Sequence, residues 1–259
     1  MAYTTIDDPT AYFQVKTYTG NGSTNAITFD GNTNMQPDFV WIKDRDTSQH
    51  HRLADVVRGV KKNLKSDQAD AENTPDSNNG LQSFDSNGFT LTQDSSDHGY
   101  NASGSSQVSW NWKAGTSFTN DASSTGVGSI DSAGSFNNDA GFSIVTYTGN
   151  GSSGATVKHG MNQKPSMFII KDRDNSNEGW MVYHTSLGAT KYMRLNETGA
   201  AATGSAYFNN TEPTSSVFTI GNNDVVNKSG DKYVTYCFAP KQGYSKFGSY
   251  TGNGNADGT

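Results

Sequence analysis

What most narrows the folds open to this 259-residue chain is that its sequence is written twice. The string YTGNG occurs at residues 18–22, 147–151 and 250–254, and aligning its first two copies brings much longer flanking stretches into the same order. FQVKTYTGNG from Phe13 matches FSIVTYTGNG from Phe142, and PDFVWIKDRD from Pro37 matches PSMFIIKDRD from Pro165. Farther on, RGVKKNLK from Arg58 parallels LGATKYMR from Leu187, and GFTL from Gly88 parallels VFTI from Val217. NASGSSQVSWNW from Asn101 then parallels NKSGDKYVTYCF from Asn227. Two copies of one sequence predict two copies of one folding unit, so a role assigned to a duplicated residue has to make sense in both.

Large residues recur at every second position in the closing segments: Val108, Trp110 and Trp112 in one copy, Val234, Tyr236 and Phe238 in the other. That period predicts half-buried strands. With 28 Gly, 13 Phe and 12 Tyr supplying turns and buried area, the expected class is all-β, built of tandem β-sandwich, jelly-roll-like modules. The predicted layout is an N-terminal leader over 1–12, module one over 13–113, a Gly/Ser/Asn-rich connector over 114–141 and module two over 142–240. The connector reads as ordered and extended, with Phe118, Val127, Ile130 and Phe136 available to pin it to a domain surface. Residues 241–259 read as the start of a third, truncated module. Its opening strand is expected to pair with module two or with a neighbouring chain, because unpaired ladder groups are costly.

The Asn-Gly pairs inside YTGNG predict two-residue type I′ hairpins, in which both central residues take positive φ. A phosphate cradle would need a helix start after the glycines, and a Ser/Thr-rich segment follows instead. The duplicated KDRD places Asp44, Asp46, Asp172 and Asp174 directly after an apolar strand as candidate interaction-loop residues. DRDTS and DRDNS have the alternate-oxygen look of a calcium loop, but the Gly and Glu that an EF-hand requires farther along are absent. The expected reading is a solvated turn with local hydrogen bonds; an interaction surface and a Ca²⁺ site are the alternatives, and no metal ligand set is assigned.

The five histidines, His50, His51, His98, His159 and His184, have no metal-binding spacing, and there is no GxSxG nucleophile elbow. No catalytic residue is assigned, and the chain is not expected to be an enzyme. Cys237, set among aromatic and β-branched residues, reads as a buried structural thiol. Trp41, Trp110, Trp112 and Trp180 read as core anchors ahead of sugar-stacking platforms. A net charge of −6 without a basic stripe argues against nucleic acid as a partner. No apolar run reaches the roughly 18 residues of a membrane span, and the N-terminus lacks the apolar region of a signal peptide.

YTGNG, PDFVWIKDRD, VRG, SNGFTL, VSWNWKAG, SIVTYTGNG, KYVTYCFA and GYSKFGSYTGNGNADGT together resemble uncharacterised tandem-repeat modules in predicted structural proteins of marine tailed bacteriophages. The resemblance runs from Tyr12 onward. It implies a virion structural protein, a tail-fibre or surface-appendage component contributing to host attachment, homo-oligomeric and joined to other virion proteins. It also implies a place on the virion surface after assembly in the host cytoplasm. A carbohydrate-binding, lectin-like module that holds host-surface glycans is the alternative, and a capsid-decorating fibre protein is a further one.

Overall fold

The computed structural model describes residues 4–74, 80–92 and 99–256, which places His98 and the outermost residues of both ends outside the described set. In the first half, alternating segments extend into β1 (Phe13–Thr19), β2 (Asn25–Thr28), β3 (Phe39–Asp44), β4 (Arg52–Asp55), β5 (Leu81–Asp85), β6 (Gly88–Leu91) and β7 (Ser106–Trp112). They form two antiparallel sheets, β1-β7-β3-β4 and β2-β6-β5. The inward side chains of both sheets, among them Ile27, Phe29, Val40, Ile42, Phe89 and Leu91, make one buried cluster. Each such side chain contributes about 1.5–3 kcal/mol when fully buried, so neither sheet is stable without the other.

The 114–141 segment is not a linker lying between two bodies. It folds into β8 (Thr116–Asn120), α1 (Ala122–Thr125) and β9 (Ser132–Asn137), and β9 pairs along the strand that opens the second copy. Ile130 enters the second half's core, and Phe118 and Phe136 pack against it. The aromatic residues decide the outcome, because covering them against the sheet removes far more apolar area from water than an extended path would.

The second half continues with β10 (Phe142–Thr148), β11 (Ala155–Lys158), β12 (Met167–Asp172), β13 (Met181–His184), β14 (Lys191–Arg194) and β15 (Ala202–Thr203). α2 (Ser205–Phe208), β16 (Val217–Ile220), α3 (Asp224–Asn227) and β17 (Lys232–Phe238) complete it. Here β10-β17-β12-β13 repeats the order β1-β7-β3-β4, and β11-β16 repeats β2-β6, so topology is duplicated along with sequence. The large sheet is extended at one edge by β9 and β8 and at the other by β14 and β15.

A third cluster joins the halves. The outer faces of the two large sheets meet through Phe39, Leu53, Phe142, Ile144, Trp180 and Tyr236. Phe39 stacks on Tyr236 with ring centroids 4.3 Å apart, in the offset range that adds about 0.5–1.5 kcal/mol to area burial. Trp180 is fully buried and its Nε1–H donates to Lys65 O at 2.8 Å, which makes it an anchor of this junction.

The segment at the third YTGNG does not pair with the second half. Residues 246–254 carry no strand, and Tyr250 is 95 % exposed. Among the described residues no ladder partner reaches it.

One histidine gives the fold a pH dependence. His159 is fully buried beside Thr214 O, and burial pushes its imidazole down to about 4. The unfolded chain therefore binds a proton that the folded chain refuses between about pH 6.5 and 4, and stability falls as pH falls through that window. A His159→Gln variant should flatten this part of the urea-midpoint profile between about pH 7 and 4.5, whatever its effect at neutral pH.

Candidate functional site

The duplicated polar motifs are the natural candidates, and each is built the same way twice. Leaving β1, the chain crosses from one sheet to the other through Gly20–Thr24, so YTGNG is a crossing loop and not a hairpin. Gly22 and Gly151 take positive φ, at 68° and 73°, but Asn21 and Asn150 do not, which excludes the type I′ turn expected from Asn-Gly. The Asn side chains act locally instead: Asn21 Oδ1 accepts from Ser23 N–H, and Asn150 Oδ1 from Ser152 N–H, both at 2.9 Å.

A buried asparagine one closing segment away holds each loop. Asn101 accepts Asn21 N–H on its Oδ1 at 3.0 Å, while its Nδ2 donates to Ser23 O and Thr92 O. Asn227 repeats this with Asn150 N–H at 2.9 Å, Ser152 O at 2.9 Å and Gly221 O at 2.8 Å. Both asparagines are completely buried. The motif tyrosine closes the same junction, with Tyr18 donating to Tyr100 O and Tyr147 to Val226 O, each at 2.7 Å. A Cβ on Gly20 or Gly149 would collide with the carbonyl of Ala102 or Lys228, so the first motif glycine is required by close backbone approach.

KDRD is likewise built into the chain. Asp44 Oδ1 accepts Asp46 N–H at 2.9 Å and Thr47 N–H at 3.1 Å, and its Oδ2 accepts from Gln107. Burial would raise the Asp44 carboxyl, but these hydrogen bonds outweigh it and hold it below its ordinary value. Asp172 does the same for Asp174 N–H at 2.8 Å and Asn175 N–H at 3.2 Å. The second aspartate of each motif accepts the first N–H of the closing strand: Asp46 from Ser106 at 2.6 Å, Asp174 from Lys232 at 2.9 Å. The motif lysines curl onto their own turns, and Lys171 also reaches a carbonyl of the first half. Lys43 bonds Asp44 O and Thr47 O, and Lys171 bonds Asp172 O, Glu178 O and Ala69 O. Burial pushes the Lys171 ammonium down to about 8, against the pull of Asp172 and Glu178.

Asp44 with Asp46, and Asp172 with Asp174, thus sit together in pairs, each at the end of a central strand. Among the described residues no hydrogen bond or ion pair joins one pair to the other, and no cluster of three or more His, Cys, Asp or Glu side chains is placed to hold a metal ion. Cys237 is fully buried and burial pushes its thiol up to about 12, far from nucleophile chemistry.

Two further features are assembled only by the fold. The first is a buried ion cluster across the junction of the halves. Arg58 Nε donates to Asp55 at 2.6 Å, Nη1 to Glu72 at 3.0 Å, and Nη2 to Leu53 O and the Tyr236 hydroxyl, each at 3.1 Å. Glu72 also receives a fork from Arg173 of the second KDRD, with both bonds at 2.9 Å. Burial disfavours the Glu72 carboxylate, but the two guanidiniums outweigh this and keep it below its ordinary value. Arg58 has Leu187 as its sequence counterpart, so absence from the repeat was the only available signal.

The second is a cleft of about 280 Å³ on the outer face of β3 and β7, lined by Trp41, His51, Trp110 and Trp112. Trp41 Nε1–H donates to His51 Nδ1 at 2.9 Å, and the Trp41 and Trp110 rings meet edge to face. All four side chains are half-buried. Unlike Trp180, these three tryptophans are partly available to a ligand.

A family described as a domain of unknown function, DUF7483, matches residues 8–259. No curated protein and no solved structure matches the chain.

Proposed function

The chain belongs to the DUF7483 family, and we propose that it is a structural protein of a bacteriophage particle, a tail-fibre or surface-appendage component that contributes to host attachment. One observation carries this reading. The polar motifs that are repeated, where a duplicated active site would lie, are consumed in closing each half, and the halves are locked together by buried charge as well as by apolar area. Such a molecule is suited to bearing load and presenting surface, and repetition of modules multiplies weak contacts into avidity. The sequence resemblance supplies the viral context. The partners under this reading are other virion proteins and further copies of the chain; no catalysis is proposed, and the site of action is the virion surface.

The test is particle composition. Phage particles purified by density gradient from a strain encoding this chain should contain it in multiple copies per particle by quantitative mass spectrometry, and antibody gold should label fibres or appendages. Label confined to the capsid would favour a decorating protein, and absence from intact particles would overturn the reading.

A carbohydrate-binding role is the second reading, favoured by the Trp41–Trp110–Trp112 cleft alone. Aromatic faces suit pyranose rings, and the lining has no fixed charge that would repel a neutral glycan. A host-glycan array should then give binding that Trp110→Ala reduces by roughly tenfold or more, the loss of one stacking contact of about 1–3 kcal/mol. No binding across the array would remove this reading for these modules.

A further inference from the structure

We infer that the free edge of β1 is a self-association surface, on which a second copy of this chain adds its own β1 in antiparallel register. The inference rests on the structural role proposed above and names the surface through which copies of the chain meet.

The two halves provide an internal comparison. Gly20 N–H donates to Ser105 O and Lys113 N–H to Tyr12 O, which fixes the alternation along β1: Gln14, Lys16 and Tyr18 bond β7. The backbone groups of Phe13, Val15, Thr17 and Thr19 therefore point away from the sheet, and of these Thr19 O accepts a long bond from Asn25 Nδ2 at 3.3 Å. Their counterparts in β10, Phe142, Ile144 and Thr146, are matched to Asn137, Ser135 and Ala133 of β9. Among the described residues one half has a strand at this edge and the other ends at β1.

The side chains tell the same story. Ile144 is fully buried at the junction of the halves, whereas its counterpart Val15 is 48 % exposed. Val15 lies on the face that carries Trp110 and Trp41, so the open edge continues the apolar surface already used in the inter-half contact. Among the other ends of the two large sheets, β4 is bridged by Leu64, β15 has two residues and β8 has five. β1, with seven, is the longest open edge among the described residues.

The edge is complementary to itself. Pairing about a twofold axis through Lys16 sets Phe13 against Thr19 and Val15 against Thr17 of the second copy, and each outward N–H then meets an outward C=O, with Thr19 O shared with the Asn25 side chain. Lys16 then faces its own copy, but each carries Asp30 at 2.9 Å, which offsets the like charge. The resulting eight-stranded sheet would bring the two Val15–Trp110 surfaces together on one side.

Sedimentation velocity of the purified chain should give a concentration-dependent dimer. Thr17→Pro removes one outward N–H and leaves the β7 ladder intact, so it should weaken the dimer roughly tenfold or more without changing the melting temperature of the monomer. In a second arm, Lys16→Cys should oxidise to a covalent dimer and Thr17→Cys should not, because only the position of Lys16 faces itself. A chain that stays monomeric throughout overturns the inference. A dimer indifferent to Thr17→Pro, with no cross-link in the Lys16→Cys variant, also overturns this surface but leaves the virion role standing, which particle composition tests separately.

Discussion

Arg58→Met should lower the unfolding free energy by roughly 3–5 kcal/mol, because it leaves Asp55 buried beside the junction without its counter-charge and Glu72 held by the Arg173 fork alone. The methionine keeps the aliphatic volume, so the loss reports charge and hydrogen bonding more than packing. Asp55 is wholly buried and would keep only the backbone N–H of residue 58 and the Tyr236 hydroxyl, the latter at 2.7 Å. Calorimetry adds a qualitative readout. The wild-type chain should melt in one transition, and the variant should separate into two as the halves lose their fixed contact. A single unshifted transition would mean that the apolar junction alone holds the halves. Glu72 gives the matching pH sign: its carboxyl is depressed in the folded state, so its stabilisation is complete above the unfolded carboxylate range and is lost as pH falls through the lower folded value.

Asn227→Ala is expected to cost roughly 2–4 kcal/mol in urea unfolding, since it strands Ser152 O, Gly221 O and Asn150 N–H at a buried crossing. Asn101→Ala should behave alike, as the same junction exists in the first half. Asn150→Ala is the control: Asn150 is exposed and its side chain caps the Ser152 N–H, so its removal should cost less than about 1 kcal/mol. Near-equal losses for Asn227 and Asn150 would show that the loop does not depend on the buried asparagine.

The class and the duplication were legible because strand alternation and repeated strings are local properties. Other features depended on what lies across a sheet. Asn-Gly signals a hairpin only when the flanking strands pair with each other, and β1 and β2 belong to different sheets. Composition made 114–141 look like a connector, and Phe118, Ile130 and Phe136, three of the four residues expected to pin it, do pack on the second half; its pairing as β8 and β9 depended on the strand beside it. One further signal was present in the opening strands. β10 carries apolar residues on both faces, Ile144 beside Val145, where β1 has Val15 beside Lys16. A strand apolar on both sides is covered on both sides, and that difference foretold which half is enclosed and which is open. The solvated turn expected at KDRD describes Asp46 and Asp174 only: Asp44 and Asp172 end strands and are fully buried, and the bonds from Asp46 and Asp174 to the first N–H of the closing strand required knowing which strand arrives next to them.

Hydrogen bonds from Asp44 and Asp172 close the duplicated motifs with groups of the chain itself. Thermal unfolding of the wild-type chain and of Asp44→Ala with Asp172→Ala, each with millimolar Ca²⁺ and with EDTA, tests this closure most directly. The wild-type melting temperature should be indifferent to Ca²⁺, and the double variant should melt several degrees lower in both buffers. A wild-type chain stabilised by Ca²⁺, with a double variant that loses this response while matching the wild type in EDTA, would contradict it.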